Sequence, residues 1–103
     1  MKTVVSTFIL LVGLATVALA ADQNPVARGK QLFESADLGT NGKSCASCHP
    51  KGRQLSKAAS YEEEDLVRIV NRCITMALAG KPLPAESADM KAIIMYMRTF
   101  DTL

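Results

Sequence analysis

Five consecutive residues, Cys45-Ala46-Ser47-Cys48-His49, constrain this chain more than any other feature. Two thiols three positions apart fall on one side of a helical turn, and an imidazole follows directly. Three chemistries use such a pair. A redox-active C-x-x-C expects a neighbouring βαβ unit, and no stretch of this sequence alternates as a strand would. A zinc site needs further Cys or His ligands, whereas only Cys73 remains beyond the motif and His49 is the single histidine. The third chemistry is haem attachment, in which both thiols add to vinyl groups and the imidazole binds the iron. The motif therefore predicts one covalent haem c, with Cys45 and Cys48 as thioethers and His49 as the proximal iron ligand. With one histidine in the chain, bis-histidine ligation is excluded.

The first twenty residues read as a leader. Met1-Lys2 is basic, an apolar run follows over 4–14, and Ala18-Leu19-Ala20 has the A-x-A form of a signal-peptidase site. The apolar stretch is short and closes in small residues, which favours a signal peptide over 1–20 rather than a membrane anchor. The expected product is one domain over 21–103, periplasmic or otherwise exported, with no stable membrane insertion. Its three cysteines meet an oxidising setting, and an odd number leaves at least one outside any intramolecular pair. A domain of this size buries only about 60% of the surface its unfolded chain exposes. This one brings Phe33, Phe100, two tyrosines and no tryptophan, so a haem plate is expected to complete the core. Twelve basic residues against ten acidic ones, with no basic block, exclude nucleic-acid binding.

Three helices are legible. Asn24-Pro25 supplies an N-cap and a proline at the first helical position, opening a helix through Ser35. The segment 37–55 carries Gly39, Gly42, Pro50 and Gly52 and reads as irregular apart from a turn at the cysteines. Ser60-Tyr61-Glu62-Glu63 has the form of a capping box and predicts a helix running to Ala79 and stopping at Gly80. Leu66, Ile69, Val70, Cys73 and Ala77 share its apolar face, and Glu62-Glu63-Glu64-Asp65 complements its dipole. Ser87 caps a last helix with a buried stripe of Met90, Ile93, Ile94, Met97 and Phe100, Met95 lying opposite. The fold class is all-α, three main helices around one covalently bound haem.

Gly29-Lys30-Gln31-Leu32-Phe33 ahead of the C-x-x-C-H motif, with Tyr96 in the closing helix, resembles class I cytochrome c over nearly all of 21–103. The resemblance implies the cytochrome c fold, its first and last helices crossing at Gly29, Phe33 and Tyr96. Ordinary members carry a distal methionine in the loop before the last helix. The matching stretch here, Gly80-Lys81-Pro82-Leu83-Pro84-Ala85-Glu86-Ser87, has none. Instead, Val70-Asn71-Arg72-Cys73, Gly80-Lys81-Pro82-Leu83-Pro84, Ser87-Ala88-Asp89-Met90 and Tyr96-Met97 are similar to another branch. That branch is the cysteine-ligated haem domain of thiosulfate dehydrogenases and Sox-type sulfur-oxidising cytochromes, although the connection from His49 to Cys73 is shorter here. It implies Cys73 as the distal iron ligand. On side-chain chemistry alone the sixth position stays open between Cys73, Met76, Met90 and no protein ligand. A methionine opposite histidine raises the reduction potential, and a thiolate lowers it.

The expected function is electron transfer between exported redox partners, other cytochromes or an oxidoreductase, in a carrier rather than an enzyme. The cysteine-ligated branch implies a setting in sulfur-compound oxidation. Lys43, Lys51, Arg53 and Lys57 near the attachment loop would steer an acidic partner. The alternative is a haem-bearing subunit or partner of a thiosulfate-oxidising enzyme, with Cys73 as the substrate-accepting thiolate.

Overall fold

The computed structural model describes Gly13 and residues 24–102; apart from Gly13, the expected leader and its boundary after Ala20 lie outside the described residues. Among the described residues four α-helices occur in order: α1 Pro25–Glu34, α2 Cys45–Cys48, α3 Glu63–Arg72 and α4 Ala88–Met97. Short 3₁₀ turns fill much of the remainder, and a π turn, Cys73–Ala77, continues α3. Among the described residues there is no strand, so the fold is all-α.

Two helix starts follow from their sequences. Asn24 Oδ1 accepts the Val26 amide hydrogen at 3.0 Å, and Pro25 gives up a donor that the first turn would leave unpaired. Ser87 Oγ accepts the Met90 amide hydrogen at 3.2 Å, opening α4. The buried stripe of Met90, Ile93, Ile94, Met97 and Phe100 forms as expected, and Met95 faces solvent.

α1 and α4 cross at Gly29, in the most extensive helix pairing among the described residues. A Cβ there would meet the Ala92 carbonyl oxygen and lie 2.8 Å from Tyr96 Cβ, so the two backbones approach as closely as a side chain's absence permits. Phe33, Tyr96 and Phe100 stack edge to face around this crossing, with ring centroids 4.8 to 5.6 Å apart. Leu66, Ile74, Leu78, Met90 and Ile93 complete the buried centre.

α3 departs from its sequence reading in three respects. The capping box does not form: Ser60 Oγ donates to the Lys57 carbonyl at 2.7 Å inside a 3₁₀ turn, Ala58–Ser60. The helix begins instead at Glu63, after an extended Glu62, where Glu63, Glu64 and Asp65 offset the helix dipole. Its far end is the π turn, closed by the Leu78 amide donating to the Cys73 carbonyl at 3.1 Å. The left-handed residue that ends it is Ala79 rather than Gly80, and Gly80 serves close approach to the Leu38 carbonyl. Finally, the buried face is Leu66, Val70, Ile74 and Leu78. Ile69 and Ala77 are exposed and Cys73 is half-buried, so this expected part of the core forms an apolar flank instead.

The chain beyond α3 is held by Asn71. Its Nδ2 donates to the Leu83 carbonyl at 2.9 Å, and its Oδ1 accepts the Leu83 amide hydrogen at 2.8 Å. Among the described residues no helix is long and apolar enough to cross a membrane.

Candidate functional site

The cysteine motif is built on a capped turn. Ser44 Oγ accepts the Ser47 amide hydrogen at 3.2 Å, and Ser47 Oγ accepts that of Ser44 at 2.9 Å, so α2 begins with a reciprocal cap. This cap escaped the sequence reading because serine, not Glu or Gln, occupies the third helical position. It fixes Cys45 and Cys48 one turn apart, Cys45 buried and Cys48 exposed.

His49 ends that turn, its amide donating to the Cys45 carbonyl at 2.9 Å. The loop then doubles back through Lys51, Gly52 and Gln54, all three with left-handed φ. Glycine is required at position 52, where a Cβ would lie 2.5 Å from the Phe100 ring. This reversal brings the Arg53 carbonyl to 2.8 Å from His49 Nδ1. A carbonyl only accepts, so Nδ1 carries the proton and Nε2 keeps its lone pair for a metal. No sequence signal marks this partner, because it is backbone.

Cys45, His49 and Cys73 line one apolar cavity of about 50 Å³, walled by Phe33, Leu55, Ile69, Val70, Ile93 and Met97. Leu55, Ile69 and Met97 also border an adjoining cleft of about 300 Å³ that reaches Lys57 and Tyr61. On the outer side Cys73 and Ile69 border an open cleft with Arg72 and Met76. Ile69, 43% exposed, and Tyr61, 46% exposed, leave a large apolar surface along this groove. The cavity alone is much smaller than a porphyrin. It shares Leu55, Ile69 and Met97 with one cleft and Ile69 and Cys73 with the other, and with them outlines an apolar slot.

Within the cavity the Cys45 and Cys73 side chains interact. That interaction, with burial, pushes the Cys45 pKa well above the ordinary range. It favours ionisation at Cys73, against the opposing effect of burial and with help from His49.

The structure thus gathers three of the expected site residues, Cys45, His49 and Cys73, and leaves Cys48 exposed and outside the cavity lining. Met76 lies in the outer cleft, 72% exposed, and Met90 is buried in the core. Met97, read as a core filler, also lines the cavity. Lys43, Lys51, Arg53 and Lys57 are all exposed. Among the described residues no three His, Cys, Asp or Glu side chains group to hold a bare metal ion. One imidazole and one thiol on an apolar slot suit an iron that brings its other four ligands in a macrocycle. Comparison with protein-family models, curated proteins and solved structures finds no match to this chain.

Proposed function

We propose that this protein is an exported monohaem c-type cytochrome with the cytochrome c fold, passing single electrons between redox partners. The observation that carries the reading is the meeting of Cys45, His49 and Cys73 at one apolar slot, with the His49 tautomer fixed by the Arg53 carbonyl. Cys45 and Cys48 would hold the haem as thioethers, and His49 Nε2 would be the proximal iron ligand. When bound, haem supplies a single iron that gains and loses one electron. The chain supplies the rest. The Arg53 carbonyl fixes the tautomer and ring orientation of His49, Phe33, Ile93 and Met97 give the slot apolar walls, and Cys73 would be the distal ligand. The exposed Lys43, Lys51, Arg53 and Lys57 ring the attachment loop and favour an acidic partner.

Spectra and mass test this reading. Protein produced with haem-attachment machinery should gain the mass of one haem and give a low-spin ferric spectrum. Cys73→Ala should keep the covalent haem and turn high-spin, while Met76→Ala should leave the spectrum unchanged. The reverse pattern would make this a histidine–methionine carrier. Failure to acquire covalent haem would end the cytochrome reading.

A second reading draws on the open cleft that Cys73 shares with Arg72. A cation beside a thiol suits a sulfur oxyanion, so Cys73 would accept a sulfur group from thiosulfate within a larger enzyme. A partner cytochrome would then have to take the electrons. Thiosulfate turnover by the purified protein, alone and with an added cytochrome, separates the two readings.

A further inference from the structure

Cys73 and Met76 are three residues apart and border the same outer cleft, yet of the two only Cys73 also lines the cavity that holds His49. On a continuous α-helix, residues three apart lie about 60° apart around the axis and share a face, so both sulfurs would be offered to the slot. The π turn Cys73–Ala77 removes that equivalence. Its closing bond, from the Leu78 amide to the Cys73 carbonyl, spans five residues rather than the four of an α turn. Each residue therefore advances by less than about 100°, and Met76 stops short of the Cys73 face. Met76 is accordingly 72% exposed.

What holds the turn in this form lies outside the helix. Asn41 Nδ2 donates to the Ala77 carbonyl at 2.9 Å, the Thr40 amide to that of Leu78 at 2.9 Å, and Thr40 Oγ1 to that of Ala79 at 2.7 Å. Three successive carbonyls at the helix end are thus taken by two residues of one loop. Gly39 admits this loop so closely that a Cβ there would meet the Leu78 carbonyl. Asn41 also reaches the other way: its Oδ1 accepts the Lys43 amide hydrogen at 3.1 Å, one residue before the serine that caps the cysteine turn. Thr40 and Asn41 therefore join the turn that carries His49 to the turn that begins at Cys73, and both are exposed, outside the core. We propose that Thr40 and Asn41 are positioning residues that select the distal iron ligand, holding the π turn so that Cys73 reaches the slot and Met76 does not. This role rests on the cytochrome reading, which supplies the iron.

The test uses the full chain loaded with haem by attachment machinery. Asn41→Asp keeps the acceptor for Lys43 and loses the donor to Ala77, so it releases the π turn and spares the cysteine turn. In the ferric protein, imidazole should then displace the distal ligand with an affinity about fivefold above wild type, the ratio that one hydrogen bond sets. A histidine–methionine component should appear in the absorption and EPR spectra, and the reduction potential should rise with it. Adding Met76→Leu should abolish that component. Thr40→Val drops only the side-chain bond to Ala79 and should shift these readouts the same way; it carries the test if Asn41→Asp takes up no haem. Asn24→Ala, which instead removes the cap of α1, should lower stability and move neither spectrum nor imidazole affinity. Wild-type spectra and affinity in Asn41→Asp would overturn the proposal, as would an equal shift in Asn24→Ala or a methionine component that survives Met76→Leu. A wild-type chain that loads haem but is methionine-ligated overturns it and leaves the cytochrome reading standing. A wild-type chain that takes up no covalent haem ends both.

Discussion

Replacing Gly29 by alanine inverts the usual expectation for a helix. Alanine favours helix over glycine by about 1 kcal/mol, so at an open helical position it stabilises. Here the added methyl would meet the Ala92 carbonyl oxygen and lie 2.6 Å from its carbon and 2.8 Å from Tyr96 Cβ, where ordinary contact begins at 3.4 Å. These are two backbone atoms and a Cβ that cannot swing aside, and relieving the tightest of them, the Ala92 carbonyl oxygen, makes α1 and α4 separate by about 1 Å or more. A gap of that size forfeits about half or more of the dispersion attraction at each contact it opens. It opens along the Phe33–Tyr96 ring pair as well. Overpacking of this kind costs up to about 3 kcal/mol, leaving a net loss of about 2 kcal/mol after the propensity gain. For a domain of this length that lowers Tm by about 8–16 °C. Thermal unfolding followed by far-ultraviolet circular dichroism measures it directly. An unchanged or raised Tm in Gly29→Ala would refute the close backbone crossing as the organiser of the core.

Three further outcomes follow from the same geometry. Asn71→Ala removes both bonds to Leu83 and should cost about 2 kcal/mol in denaturant unfolding, at about 1 kcal/mol for each hydrogen bond. Gly52→Ala places a side chain at left-handed φ and against the Phe100 ring. It should lower stability by about 2 kcal/mol or more in the same assay, from about 1–2 kcal/mol of backbone strain plus overpacking. Changing both Cys45 and Cys48 to alanine should abolish covalent haem, read by mass and haem stain, and with it most of the helical signal. A stable haem-free helical domain from that variant would show that the core needs no plate.

What was legible in the sequence was local. Asn24 and Ser87 cap their own helices through their own side chains, and the stripe from Met90 to Met97 sits on an undistorted α-helix, so 100° per residue places it correctly. The face of α3 was misplaced because its buried residues recur strictly every fourth position. On an α-helix each such step overshoots a full turn by about 40°, and periodicity therefore favoured Ile69, Cys73 and Ala77. The π turn takes up that drift and brings Ile74 and Leu78 onto the line of Leu66 and Val70. It depends on long-range anchors invisible in a local window. Asn41 Nδ2 donates to the Ala77 carbonyl at 2.9 Å, and the Thr40 amide donates to that of Leu78 at 2.9 Å. Ser60 misled for a related reason, because its hydroxyl found a carbonyl three residues back. At the site, residue types named Cys45, His49 and Cys73. The Arg53 carbonyl that orients the histidine could not be read, since every residue has one.

The crossing of α1 with α4 also sets the order in which this molecule can assemble. Arg28 and Asp89, paired at 3.4 Å beside that crossing, are 61 positions apart, so the principal helix contact closes a loop containing most of the domain. Such a contact pays its entropy before it returns any packing, which slows folding relative to a bundle of sequential hairpins. Until the last helix arrives, α1 has no partner for its Gly29 face, and the loop carrying His49 lacks the Phe100 ring against which Gly52 rests. The cysteine turn, by contrast, is capped by its own serines and can form early. A nascent chain therefore presents its thiols on a formed turn while the pocket behind them is still open, an interval in which a bulky planar group can be added from the side.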